Sequence, residues 1–319
     1  MKKLTTENFD NTFVQKWGAA LFFVLMIGLN CILTNNFLSF RTLWLLVVQA
    51  FPIAIVGLGM TFVIASGGID ISVGATMALT GTVLAAMMVS GIPLFYCILA
   101  ALAVGIIVGA INGFIIAKFD VQPIVMTLVT MLAIRGFAQV VTAGRPVPFS
   151  YMPLNKIASF RLWKQGMPLQ FILIILLAAI AVFVIKKTVF GNRVQAIGNN
   201  RTAAAFTGID TYKITVIVYM ISALAAGIAS VIEVGRESQA EAARMGVSME
   251  MNAIAAVAVG GTSLNGGKAY LWGTIIGALI MQLVVMTVNM NGILSSWGKV
   301  AKAVILILAV LPNVYRKKD

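Results

Sequence analysis

Apolar runs of roughly 17 to 24 residues recur along the whole chain, and the stretch from Leu94 to Ala117 carries no charged side chain at all. That length matches a helix crossing the hydrocarbon core of a bilayer; a barrel strand needs only about ten residues, with strict alternation. Lipid offers no partner to a backbone N–H or C=O, so each crossing has to satisfy its own as a helix. Composition agrees. Of 319 residues 60% are hydrophobic and 10% charged, and the mean hydropathy is +0.99. The expected fold is all-α: a polytopic membrane protein forming one transmembrane domain over residues 1–319.

Ten spans are expected, at about 17–34, 42–66, 74–90, 94–117, 123–141, 168–186, 214–233, 250–262, 269–289 and 298–313. The eighth is too short to cross unaided and reads as a broken or re-entrant helix. An even count puts both termini on one side. The basic residues of the termini and of the 187–213 loop make that side the cytoplasm. The cytoplasmic pieces are then an N-terminal segment 1–16, the loop 187–213 and a tail 314–319. Trp17, Trp44, Trp163, Trp272 and Trp297 fall at or near span starts, as an interfacial belt requires. Segment 142–167, with Pro146, Pro148 and Pro153, reads as an ordered outer loop. After Met1-Lys2-Lys3 the chain stays polar to Lys16, so the first span is expected to be retained and not cleaved as a signal peptide.

The net charge of +13 is scattered over span ends, without the aromatic-interleaved patch of a nucleic-acid binder. Cys31 and Cys97 sit in apolar runs as small core residues, with no disulfide or metal site implied, and histidine is absent. The segment Gly261–Ala269 imitates a phosphate loop but fails twice: Thr262 stands where glycine is needed, and Ala269 stands where a hydroxyl must hold magnesium. No nucleophile–base motif or paired carboxylates occur. The chain is expected to be no enzyme, to bind no cofactor or metal and to have no catalytic residue.

Small residues recur at helical spacing. Gly105, Gly109 and Gly113 make one face of the fourth span, and Gly273 and Gly277 one face of the ninth; both are expected to pack helices within the chain. The stretch Gly67-Gly68-Ile69-Asp70-Ile71-Ser72-Val73-Gly74 places a carboxylate between two apolar runs. Asp70 is the one acid expected well inside the membrane zone. It reads as a cap or hinge at the cytoplasmic end of the second span, as a polar gate, or as the coupling carboxylate of an ion-driven transporter. Relay acids and histidines are otherwise scarce, which disfavours the last. Gln49, Asn112, Arg135, Gln139, Asn252, Gln282, Asn289 and Asn291 are the other polar residues inside spans. Asp70, Gln49, Asn112, Asn252 and Asn289 are the candidates for a translocation path or gate serving an uncharged hydroxylated solute.

Six segments, 67–81, 109–128, 134–136, 190–209, 251–268 and 273–280, resemble in order and spacing the permease subunit of ribose-type ABC sugar importers. The resemblance covers roughly residues 40 to 312. It implies a monosaccharide permease of the bacterial inner membrane, working as a homodimer or beside a related permease. It further implies a separate ATPase with tandem nucleotide-binding domains, which would hold ATP and magnesium, and a periplasmic or lipid-anchored sugar-binding protein. By the same resemblance Phe190, Gly191, Gly198, Asn200, Ala203, Ala204 and Gly208 belong to the loop that docks on the ATPase. The sequence there reads as a short helix capped by Asn200 and closed by Gly208. A bulky charge at Ala204 is expected to uncouple the two subunits. The chain departs from the family pattern at Gly198-Asn199-Asn200, at Val288–Gly292 and in the outer stretch Glu233–Met249.

Overall fold

All ten apolar runs become helices, and three short helices join them. In chain order the elements are α1 (Glu7–Leu33), α2 (Phe40–Ala65), α3 (Val73–Val89), α4 (Leu94–Phe119), α5 (Pro123–Val141), the two-residue strand β1 (Val147–Pro148), α6 (Met152–Ala158), α7 (Leu169–Lys187), α8 (Val189–Asn199), α9 (Arg201–Phe206), α10 (Thr211–Glu237), β2 (Gln239–Ala240), α11 (Met249–Val259), α12 (Leu271–Met290) and α13 (Ser295–Tyr315). This computed structural model describes residues 7–149, 152–162 and 166–315. Trp163 and the basic residues Lys2, Lys3, Arg316, Lys317 and Lys318 lie outside the described residues.

Among the described residues six helices, α2, α4, α5, α7, α10 and α12, are long and apolar enough to cross a membrane. At the centre α2 is buried without interruption from Ala50 to Ala65. It packs against α10, α12, α11 and α7 in the largest apolar cluster. Pro52 sits inside α2, where it removes one backbone donor.

The glycine faces do what small residues at that spacing allow. A Cβ at Gly109 would overlap the carbonyl of Tyr219 and stand 2.8 Å from the Met220 Cα; one at Gly113 would stand 2.6 Å from the Val216 Cα. α4 and α10 therefore touch backbone to backbone. Gly273 and Gly277 bring α12 equally close to Ala256 of α11 and to Gly260, which ends that helix. Both faces pack helices within the chain, as expected.

Two crossings are broken. α3 has only 17 residues and α11 only 11. Ahead of α11 the residues from Ala242 to Ser248 make turns without a helix. Irregular backbone beside a membrane core persists only where protein satisfies it. Here Arg135 of α5 does so: its Nη1 donates to the carbonyls of Ala242 (3.1 Å), Ala243 (3.5 Å) and Met245 (3.2 Å). The expected short eighth span is thus a half-helix behind an irregular lead-in, with Gly246 packed on the backbone of Gly74. The outer loop 142–167 is more structured than its prolines imply. It carries α6, and β1 pairs antiparallel with β2, Val147 opposite Ala240.

Candidate functional site

The polar loop after α7 folds into two helices, α8 and α9. Thr188 caps α8 with its hydroxyl on the Gly191 N–H (3.3 Å). Asn200 caps α9 with its Oδ1 on the Ala203 N–H (2.9 Å), and Gly208 follows α9 at φ +82°. Asp210 then caps α10 through the Lys213 N–H (3.0 Å), and that backbone bond holds its carboxyl below the usual carboxylate range. The cap at Asn200 and the stop at Gly208 agree with the sequence reading. α8 is an addition to it.

The seven loop residues divide by the way they face. Phe190 packs toward Phe62 of α2, with ring centroids 6.5 Å apart. Gly191 presses on the Ile185 backbone, and Ala204 is buried in the main apolar cluster. These three seat the loop on the membrane body. Ala204 therefore offers no outward surface, and a charge there would disturb the seat of α9 before any partner was reached. The outward positions of α9 are Thr202, Ala203, Ala205 and Phe206, the last 88% exposed. A phenylalanine this bare stands out on α9 and is absent from the loop residues that the resemblance implies; its signal is an aromatic side chain in an otherwise small and polar segment.

Gly198, in the last turn of α8, meets both membrane breaks at one point. A Cβ there would overlap the carbonyl oxygen of Ala65, at the end of α2, and lie 2.5 Å from the Gly267 nitrogen. The Gly267 N–H itself donates to that Ala65 carbonyl (3.0 Å). Gly67 and Gly266 close the junction: a Cβ on Gly266 would stand 3.1 Å from the Cα atoms of both Gly198 and Gly67. The two glycine-rich stretches 67–74 and 260–267 thus share one contact with α8.

Asp70 is 1% exposed. Its Oδ2 accepts from the Ser222 hydroxyl of α10 (2.9 Å). Its Oδ1 accepts from the Ser72 N–H (3.0 Å) and the Ser72 hydroxyl (2.6 Å). Asn112 of α4 donates to that hydroxyl (3.0 Å) and accepts from Thr130 of α5 (2.6 Å). Ser222 is eleven residues into α10, and Asn112 seven residues from the end of α4. At 1.5 Å per residue, Asp70 sits roughly 10 to 16 Å along from the start of α10 and the end of α4. Asp70 itself follows the end of α2 and precedes α3, as the sequence reading has it, and its carboxylate reaches from there to mid-helix positions of α10 and, through Ser72, of α4. Ser72 occupies the N-cap of α3 but makes no side-chain cap bond; Asp70 accepts from it and binds the break to α10, and through Ser72 and Asn112 to α4 and α5.

The remaining path candidates do not join this cluster. Gln49 accepts from Gln282 of α12 (2.9 Å). Asn252 accepts from the Lys302 ammonium of α13 (2.8 Å). Asn289 is exposed near the end of α12, while Asn291, two residues on, donates to Thr34 just after α1 (2.8 Å). Asp70 and Asn112 are the only two of the five that the fold brings together. Ser72, Ser222 and Thr130 complete their cluster.

A protein family described as the branched-chain amino acid transport system permease component matches residues 42–310. The chain belongs to that family. The permease is also similar, at 36% identity over 318 residues, to a ribose import permease of Haemophilus influenzae, covering 99% of this chain and 98% of that one. It is 38% identical over 268 residues to a galactofuranose transporter permease of Escherichia coli, covering 84% and 78%. It is 35% identical over 254 residues to a fructose import permease of Bifidobacterium longum, covering 78% and 71%. No solved structure matches the permease. The resemblance drawn from the six segments is borne out by these relatives, and the family places the permease in the inner membrane.

Proposed function

We propose that this permease is the membrane subunit of an ATP-binding-cassette importer that moves a monosaccharide, or a related small polar solute, across the bacterial inner membrane. In this reading ATP and magnesium are held by a separate ATPase subunit with tandem nucleotide-binding domains. A periplasmic or lipid-anchored binding protein delivers the solute, and a second permease, identical or related, completes the channel. The relatives named for ribose, galactofuranose and fructose support the sugar class. The observation that carries the coupling is the seating of α8 and α9. One face is fixed to both membrane breaks through Gly198, and the other presents Phe206 outward. A rigid two-helix element of this kind can enter a cleft on a soluble partner and transmit its movement.

Reconstitution in liposomes with the ATPase and the binding protein tests the proposal. Uptake should require ATP and should stop when the ATPase is made catalytically dead. Sugar accumulation by this chain alone, driven by an ion gradient, overturns it. A narrower outcome is expected for Phe206→Ala. Truncating an aromatic anchor costs about 2 kcal/mol of binding, or roughly thirtyfold in Kd. The ATPase should co-purify poorly while the melting temperature of the permease stays unchanged, because the side chain touches little within the chain. Wild-type co-purification would remove Phe206 from the docking face.

A further inference from the structure

Lys302 is a charge in the wrong solvent. It sits seven residues into α13, about 10 Å from the start of that helix, half-buried against α11. Trp297, 61% exposed, lies five residues nearer the outer end, at the level where an interfacial tryptophan belongs. An ammonium that deep in lipid is costly, and lysines near helix ends usually extend their heads back to the interface. Lys302 instead turns to α11 and donates to the Asn252 Oδ1 at 2.8 Å. Among the described residues it makes no ion pair and has no second hydrogen-bond acceptor.

The donor count decides what the pair is for. A lysine ammonium carries three N–H donors, and the amide of Asn252 carries two. One lysine donor is used on Asn252, and that bond takes one of the two lone pairs of the amide oxygen. What remains is a group rich in donors: two ammonium N–H bonds and the two N–H bonds of Asn252, against a single free lone pair. Such a pair left against lipid would leave its donors and its charge without solvent. It is satisfied where water or an oxygen-rich solute stands in front of it. Met251, 68% exposed in the same first turn of α11, shows that this end of the half-helix is not covered within the chain.

We propose that Lys302 and Asn252 form a solute-contacting site on the aqueous translocation path, donating hydrogen bonds to hydroxyl and ring oxygens of a neutral polyhydroxylated solute. The proposal rests on the transport reading above. It adds Lys302 as a specificity-determining residue and places the path along the seam between α11 and α13.

Cysteine labelling tests it in the complete transporter, with Cys31→Ala and Cys97→Ala as background. Lys302→Cys and Asn252→Cys should each react with a charged, membrane-impermeant methanethiosulfonate reagent, and excess solute should slow the reaction. Ile307→Cys, exposed on the same helix at 59%, faces lipid in this arrangement and should not react. If neither 302 nor 252 labels in protein that is present in the membrane, the site is not on a water path and the proposal fails; it fails equally if 307 labels as fast. A second readout separates solute contact from packing. Lys302→Met should raise the solute concentration for half-maximal uptake at least about tenfold, with Lys302→Arg close to wild type and binding-protein-stimulated ATP hydrolysis retained. Lys302→Gln keeps a donor for Asn252, so full rescue by glutamine would reduce Lys302 to a helix pin. Labelling at 302 and 252 is independent of the energy source. Uptake that proceeds without the ATPase would therefore overturn the ATP-driven reading and leave this site standing.

Discussion

Gly198→Ala should abolish solute uptake while the permease stays in the membrane and keeps its ATPase bound. The added methyl has nowhere to go. Its position overlaps the Ala65 carbonyl oxygen and lies 2.5 Å from the Gly267 nitrogen, and both obstacles are backbone, unlike a side chain that could rotate away. Overpacking a tight contact costs about 1 to 3 kcal/mol, and more where the neighbours cannot yield. The cheapest relief is to lift the last turn of α8 away from the ends of α2 and of the 260–267 stretch, which breaks the Gly267 bond to Ala65. The outward face of α9 would remain, so docking should survive. The expected signature is basal ATP hydrolysis near wild type with uptake reduced by at least about tenfold. Gly136→Ala is the control. It lies mid-helix in α5, where a Cβ meets nothing within 4 Å, and should be neutral or slightly stabilising. Normal uptake by Gly198→Ala would show that the junction transmits nothing.

The helices were readable because a bilayer leaves few choices: an apolar run of the right length must be a helix. α5 begins and ends where its run does, at Pro123 and Val141, while α10 overshoots its run at both ends, where Asp210 caps it and Arg236 and Glu237 extend it. α8 was hidden by its polar residues, although Gly191, Val194 and Ile197 are buried at three-residue spacing behind a threonine cap. What the Asp70 carboxylate reaches was not readable. Run length says how far a helix goes and nothing of what a side chain beyond its end meets, and only the neighbours Ser222 and Asn112 fix that. Ser222 and Thr130 gave no signal of their own, because a lone hydroxyl in a helix can be satisfied by a carbonyl one turn back, as Thr130 is on Met126. Their pairing with Asp70 and Asn112 exists only in three dimensions. Lys302 was lost for a similar reason: near a span end it reads as an ordinary interfacial charge until Asn252 is found holding it.

Asp70→Ala and Asp70→Asn should part company, and the gap between them separates a structural carboxylate from an ion-coupling one. The carboxylate accepts from two hydroxyls and one backbone N–H, and no ion pair involves it among the described residues. The start of α3 three residues on adds the favourable end of a helix dipole. Alanine removes every acceptor at once. A buried donor left unmade costs about 1 to 3 kcal/mol, and the Ser72 N–H cannot turn elsewhere, although the two hydroxyls can rotate. The loss should fall near 3 to 5 kcal/mol on that scale, enough to deplete folded permease from the membrane. Asparagine keeps one acceptor oxygen for Ser72, and its amide can donate to the Ser222 oxygen, which is able to accept. Asp70→Asn should therefore fold and retain ATP-driven uptake within a few-fold of wild type. Were Asp70 the carrier of a coupled ion, asparagine would fold equally well and transport nothing, since an amide cannot gain or lose the charge. Membrane-localised Asp70→Asn protein with no uptake is the outcome that would restore the ion-driven reading, and retained uptake would leave Asp70 as the tie between the α2–α3 break, α4 and α10.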